Sequence, residues 1–397
     1  MSPGATRGQP SATATVRRMI AGPAPHAILL TGPPAVGKTT LALDLAAGLL
    51  CSAADPELRP CGTCRACRTV ATGNHPDLHR LAPDGPGGQV RLGDPRHPEP
   101  GSVRHLAGEL ALLPVEGGAR VAIVEAAQRL NEDAQNALLK TLEEPPPGVT
   151  IVLCADEEDA LLPTVRSRCV RVRLGPVSGR AIEGLLGERG LADPPTAARL
   201  ARLAEGRPGL ALAYAVAPGA VRRREKLARW LLDLLHADRR ARLVAVRDLL
   251  PEAAAMADEL SAARDRLAGE AAGAVLVAAR AVTGPDDAGS ADVPVQEPGE
   301  GGRGRISPAE RRRAAAALLE VWSAVSRDLA VAALGGRREL RDPALLEELV
   351  AAADGMAPEA PARFLGRLAR TSELLEQNAN PELALDVLAL SWPRVAA

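Results

Sequence analysis

The segment Gly32-Pro33-Pro34-Ala35-Val36-Gly37-Lys38-Thr39 has the spacing G-x-x-x-x-G-K-[ST]. A loop of this kind turns its backbone N–H groups toward phosphate oxygens, its lysine reaches the terminal phosphates, and its hydroxyl can hold Mg²⁺. These eight residues, with Thr40 beside them, are candidate ligands of ATP with Mg²⁺. A chance glycine-rich turn would give the same letters. The flanks argue against that, because an apolar run precedes the loop and a helical pattern follows it. Binding is separate from hydrolysis, which needs carboxylates at the end of a second strand, one for Mg²⁺ and usually one for the attacking water. The chain offers Glu125 followed by Ala126-Ala127-Gln128. Whether Glu125 serves the metal, serves the water or is an exposed acid ending a strand, one acidic group is missing.

Cys51, Cys61, Cys64 and Cys67 follow C-x₉-C-x₂-C-x₂-C, a spacing that lets neighbouring thiolates converge on one tetrahedral Zn²⁺. Residues 59–68 cannot build an apolar core, so a metal with all four positions filled would supply the local stability. Free thiols or a redox pair are the bland alternative. His75 and His79 read as polar turn residues, Cys154 and Cys169 as ordinary buried thiols. Arg168, in Ser167-Arg168-Cys169, reads from the residues alone as a solvated arginine at the rim of a sheet. Arg17, Arg18 and Arg222-Arg223-Arg224 read as solvated helix faces.

Positioning these groups falls to an alternation of strands and helices. Ala27–Thr31 reads as a buried strand, and a helix with Leu41, Leu43, Leu45 and Leu49 runs from Thr39 to Leu50. Ser102 is a cap for a helix carrying Val103, Leu106, Leu110 and Leu113. Val121–Val124, Thr150–Cys154 and Val170–Arg173 read as further strands, and a helix from Asn131 to Glu144 stops at three prolines. The pattern predicts a mostly parallel sheet with helices on both faces. Beyond Ser178 only helical patterns remain, at 181–188, 196–204, 210–217 and from Val221 onward. Residues 284–304, rich in Gly, Pro, Asp and Glu, read as a disordered loop.

With 397 residues the length suggests two or three domains. A formal charge of −1 gives no chain-wide attraction to nucleic acid or anionic membrane. Three Trp, one Tyr and one Phe leave little material for stacking single-stranded bases. Residues 1–15 lack the basic start and apolar stretch of a secretory signal and read as a flexible lead-in. No stretch approaches 18 apolar residues, so no membrane partner is expected, and the six cysteines point to a reducing, cytoplasmic setting.

Taken together these pieces resemble the clamp-loader subunits of bacterial DNA polymerase III, in the AAA+ class. The resemblance rests on His26 to Gly32 leading into the loop, the four-cysteine insert, Asn74-His75-Pro76-Asp77 and Leu81-Ala82-Pro83. It continues through Asn136 to Pro146 and Arg166-Ser167-Arg168-Cys169. It covers most of 24–215, with weaker matches at Trp322, Arg327-Asp328-Leu329 and Asn378-Ala379-Asn380-Pro381.

The resemblance implies a lead-in at 1–23, an AAA+ nucleotide-binding domain at 24–175 with a zinc insert at 51–67, a helical lid at 176–218 and an all-α collar at 219–397. It implies that Arg168 is an arginine finger acting in a neighbour's ATP site. It implies partners too: motor subunits and a delta subunit in a hetero-oligomeric ring, with the sliding clamp and primed DNA reached through that ring. The chain would be part of a DNA-directed DNA polymerase holoenzyme without a polymerase site of its own. ATPase members carry a sensing Arg on the last lid helix where this chain has Gly209, unless Arg207 substitutes. They also carry an Asp-Glu pair where it has Glu125-Ala126. Those two departures favour a companion subunit of weak or no ATPase activity over the ATP-hydrolysing motor, the rival reading. A zinc-dependent nucleic-acid-binding module using Arg59, Arg65 and Arg68 is the distant alternative.

Overall fold

The computed structural model describes residues 6–83, 88–116, 118–282, 307–376 and 379–394. The loop expected at 284–304 lies outside them. Two compact units are present. One contains the described chain to Leu185 together with Glu205–Leu210 and residues 266–282, and the other contains Leu186–Ala204, Ala211–Asp265 and the helices from Pro308 onward.

The first unit opens with α1 (Pro10–Ala21), where a flexible lead-in was expected. Its pattern is amphipathic: Ala12, Val16, Met19 and Ile20 recur at helical spacing and are buried, while Arg17 and Arg18 stay exposed. Many Ser, Thr and Ala residues disguised that stripe. Then follow β1 (Ala27–Thr31), α2 (Lys38–Leu49), α3 (Arg65–Ala71), β2 (Leu78–Leu81), α4 (Val103–Leu110), β3 (Arg120–Val124), α5 (Glu132–Glu143), β4 (Val149–Ala155), α6 (Pro163–Arg166) and β5 (Val170–Arg173).

The five strands form one sheet in the order β2-β3-β4-β1-β5, and every pairing is parallel. The inner strands are buried on both faces, with the residue period of two assigning each side chain. Ile28, Leu30, Val121, Ile123 and Val152 pack with Val16, Leu41 and Leu45 on one face. Ala27, Leu29, Ala122, Val124, Ile151 and Leu153 pack with Leu106, Leu110, Leu138 and Leu142 on the other. The Ser102 and Asn131 side chains accept N–H bonds from His105 and Ala134, capping α4 and α5 as their sequences predict. Leu113, expected on the helix of Ser102, lies past its end and is 87% exposed.

The remaining helices are α7 (Gly179–Glu188), α8 (Pro194–Ala204), α9 (Pro208–Val216), α10 (Pro218–Asp233), α11 (Arg239–Val282), α12 (Pro308–Ala333), α13 (Leu346–Asp354), α14 (Glu359–Glu376) and α15 (Pro381–Ser391). Trp322, Phe364 and Trp392 meet in the core of the second unit, with ring centroids 4.6–5.6 Å apart. Arg224, read from the sequence as solvated, is buried there with its Nη1 3.6 Å from the buried Asp342 carboxylate. Its neighbour Arg223 donates to Glu252 and Glu259 at 2.7 and 2.8 Å. Asn380 accepts from the N–H groups of Glu382 and Leu383 and so caps α15. Asp328 accepts from Arg327 at 2.6 Å and from the Arg341 N–H at 3.1 Å.

Candidate nucleotide site, cysteine cluster and arginine rim

The loop Gly32–Gly37 joins β1 to α2 at the carboxyl edge of the parallel sheet, where ligands of α/β folds bind. Gly32 has φ +145°, and a Cβ there would lie 2.2 Å from the Leu174 carbonyl oxygen. Gly37 has φ +111° at the head of α2, so the first N–H groups of that helix face the loop. Pro33 and Pro34 stiffen the turn, Val36 anchors it in the core and Ala35 takes a left-handed φ of +60°. Thr39 and Thr40 occupy the first turn of α2, both partly buried. The geometry is that of a phosphate cradle.

Lys38 is buried, and its ammonium donates to the carbonyls of Gly32 (2.6 Å) and Pro33 (2.8 Å) and to Asp156 Oδ1 (2.7 Å). Asp156 had no part in the sequence reading. It follows β4, whose last residue Ala155 pairs with Thr31, the residue just before the loop. That register sets a carboxylate at the mouth of the cradle. The Gln128 side chain clasps it, its amide nitrogen donating to Asp156 Oδ2 at 2.7 Å and its oxygen accepting from the Asp156 N–H at 3.3 Å. An acidic residue directly after a strand adjacent to β1 was the available signal, hidden among Glu157, Glu158 and Asp159.

Glu125 ends β3 as expected, and its Oε1 accepts from Arg80 Nε at 3.0 Å and Nη2 at 2.5 Å. Arg80 stands on β2, an edge strand that the sequence reading passed over. Ala126 has φ +48° and leads into the short turn that presents Gln128. The structure therefore groups Lys38, Asp156 and Gln128, while Glu125 engages Arg80. The Cys154 thiol is pushed up to about 12, by burial first and then by Glu125 and Asp156, and the partly buried Cys169 thiol is pushed up to about 11 by burial. Burial thus disfavours the reactive thiolate at both.

Gly209, in the first turn of α9, donates its N–H to the Ala35 carbonyl at 3.0 Å. A Cβ at Gly209 would stand 3.1 Å from the same oxygen and 3.3 Å from the Ala35 Cβ. The glycine lets the start of α9 press against the phosphate loop.

The sulfur atoms of Cys51, Cys61, Cys64 and Cys67 all lie within 4.8 Å of one another, and Cys51 and Cys64 are 3.9 Å apart. A zinc tetrahedron with bonds of about 2.3 Å has edges of about 3.8 Å, so the cluster fits that ion. Backbone N–H groups point at the sulfurs: Cys64 N–H at Cys61 (3.3 Å), Cys67 N–H at Cys64 (3.4 Å), and the Ala53 and Cys61 N–H groups at Cys51 (3.5 Å each). Such donors favour thiolates. Burial opposes ionisation and raises the Cys51 and Cys67 thiols, while at Cys61 the Thr63 hydroxyl and the Cys64 N–H outweigh it and bring the thiol down to about 6. Of the two histidines beside the cluster, His75 is a polar turn residue as expected, its carbonyl accepting from the Leu78 N–H at 3.0 Å, whereas His79 is not. His75 is buried, with Nδ1 accepting from the Asp77 N–H at 3.1 Å, and His79 lies on β2, where burial first and the Arg120 charge second depress its pKa.

Arg168 sits between α6 and β5. Its Nη2 lies 2.7 Å from Glu143 Oε1 and its Nη1 donates to the Thr164 carbonyl at 2.9 Å and to Ser167 Oγ at 3.3 Å. About a third of the side chain is exposed.

Fold and site define a parallel α/β domain with a P-loop and a cysteine-cluster insert. Residues 8–178 match the family model described as DNA polymerase III, delta subunit. Similar proteins include DNA polymerase III subunit delta' of Pseudomonas aeruginosa, 38% identical over 44% of this chain and 50% of that protein, and its counterpart in Escherichia coli, 38% identical over 49% and 55%. Subunit tau of Escherichia coli is 33% identical over 46% of this chain and 27% of that protein. Through this region the chain is similar to the delta-prime subunits of bacterial DNA polymerase III. The chain spans about half the length of the delta-prime relatives it matches.

Proposed function

We propose that the chain works as a clamp-loader subunit that lends an arginine to a neighbouring ATPase and does little ATP hydrolysis itself. The observation that carries this reading is the separation of roles around the sheet. Arg168 is offered at the rim, anchored by Glu143 and Thr164, whereas in the chain's own site β3 is followed by Glu125 and Ala126 and that acid is engaged by Arg80 on β2. An arginine brought to a neighbour's phosphoryl group would stabilise charge there in trans. Nucleotide with Mg²⁺ would be held by Gly32–Thr40, as a ligand turned over slowly. Zinc in the cysteine cluster would supply no catalysis, its role being to fix the insert. The partners are motor subunits and a delta subunit in a ring, acting on the sliding clamp and primed DNA. To test this, the chain is added to motor and delta subunits and clamp loading on primed DNA is measured. Loading that is equally fast without the chain would sink the proposal.

The intact Lys38 and Thr39, together with the similarity to subunit tau, favour a second reading as the ATP-hydrolysing motor. Steady-state hydrolysis by the pure chain that disappears in Lys38→Ala would establish it.

A further inference from the structure

The ion pair inside the cradle has a consequence for what the cradle accepts. An ammonium has three N–H donors, and those of Lys38 point at Gly32 O, Pro33 O and Asp156 Oδ1. A phosphate oxygen that takes a hydrogen bond from Lys38 must displace one of these acceptors, and only Asp156 is itself an anion. Asp156 is not a loose side chain that can swing away. Gln128 holds both its carboxylate and its backbone N–H, and Ala155 before it is fixed in the sheet opposite Thr31. The carboxylate therefore stays beside the position that Lys38 gives to the terminal phosphate, and each added phosphate charge raises the repulsion.

We infer that Asp156, held by Gln128, is a specificity-determining residue that competes with phosphate for Lys38 and turns the loop toward nucleoside diphosphates over triphosphates. The inference rests on the proposal that residues 32–40 bind nucleotide. It gives the weak turnover a cause separate from Ala126, since the triphosphate is disfavoured before any water is activated.

Equilibrium binding of mant-ADP and mant-ATP, each with Mg²⁺, to the full chain tests it. Wild type should bind mant-ADP more tightly than mant-ATP by about tenfold, and Asp156→Asn, which keeps the shape and removes the charge, should erase most of that difference by tightening mant-ATP. Glu157→Gln, one residue further along and exposed, should change neither affinity. If Asp156→Asn melts below wild type, Asp156→Ser is read in its place. Unchanged or weaker mant-ATP binding in the Asp156 variants overturns the inference, and a weakening confined to Mg²⁺-containing buffer would make the acid a metal ligand. Binding of neither nucleotide by any of these proteins overturns the inference together with the nucleotide reading beneath it. Equal binding of both by wild type overturns the inference alone.

Discussion

Asp77 and Arg120 form an ion pair with both side chains buried, Nη2 to Oδ1 3.2 Å, at the foot of the β2–β3 pair. Asp77 also accepts from the N–H groups of Val115 (2.7 Å) and Glu116 (2.9 Å), and Arg120 donates to the carbonyls of Leu113 (2.7 Å) and Glu109. The pair is a strut for the connection between α4 and β3. Removing one partner of a buried pair strands the other, so Asp77→Ala should destabilise the chain by about 3–5 kcal/mol in urea unfolding. A loss under about 1 kcal/mol would contradict the strut.

The same carboxylate sets an acid limit. Burial works to raise the Asp77 pKa, but the Glu116 and Val115 N–H groups and Arg120 bring it below the usual carboxylate range. With the folded pKa depressed, its contribution is present above the unfolded value of about 3.9 and lost as pH falls through the folded value. Melting temperature followed from pH 6 downward should drop on acidification in wild type. In Asp77→Asn the drop should be shallower.

Metal analysis of natively purified protein should find about one zinc per chain, and Cys64→Ser should lose it. Cys64 makes a sharp test because its sulfur also accepts the Cys67 N–H that starts α3. Chelation should open residues 51–71 to protease. A metal-free native protein, equally resistant with and without chelator, would contradict the assignment.

Gly209→Arg restores the side chain that the ATPase members of the family resemblance carry, yet it should not restore hydrolysis. A Cβ at this position already presses on Ala35, so the variant should displace the phosphate loop and weaken nucleotide binding. Gly32→Ala should be worse for the fold, costing at least about 2 kcal/mol, because its Cβ would enter the Leu174 carbonyl. A gain of ATPase activity in Gly209→Arg would show that the missing arginine alone silences the site.

Strands β1, β3 and β4 were legible because strands buried on both faces leave short continuous apolar runs, as in Ala27–Thr31, and edge strand β5 through the Val-Arg alternation of Val170–Arg173. Edge strand β2 was not, since Leu78-His79-Arg80-Leu81 buries only its two ends and reads as polar chain. The phosphate loop and the four cysteines announced themselves through local spacing. Asp156 and Gln128 did not, because their meeting depends on the register of β4 beside β1 and on the left-handed turn at Ala126, which no local pattern encodes. Arg224 was misread for a related reason, as the buried Asp342 that it faces lies more than a hundred residues away in sequence.

The proposed role of Arg168 is to act in a neighbour's active site. The most direct measurement is DNA-stimulated ATP hydrolysis by the reconstituted loader containing Arg168→Ala, with Arg168→Lys beside it. The variant ring should assemble, and turnover at the motor site facing this chain should fall by about 10³-fold or more, with lysine rescuing little because it lacks the planar fork. Hydrolysis and clamp loading at the wild-type rate in an assembled Arg168→Ala ring would contradict the account.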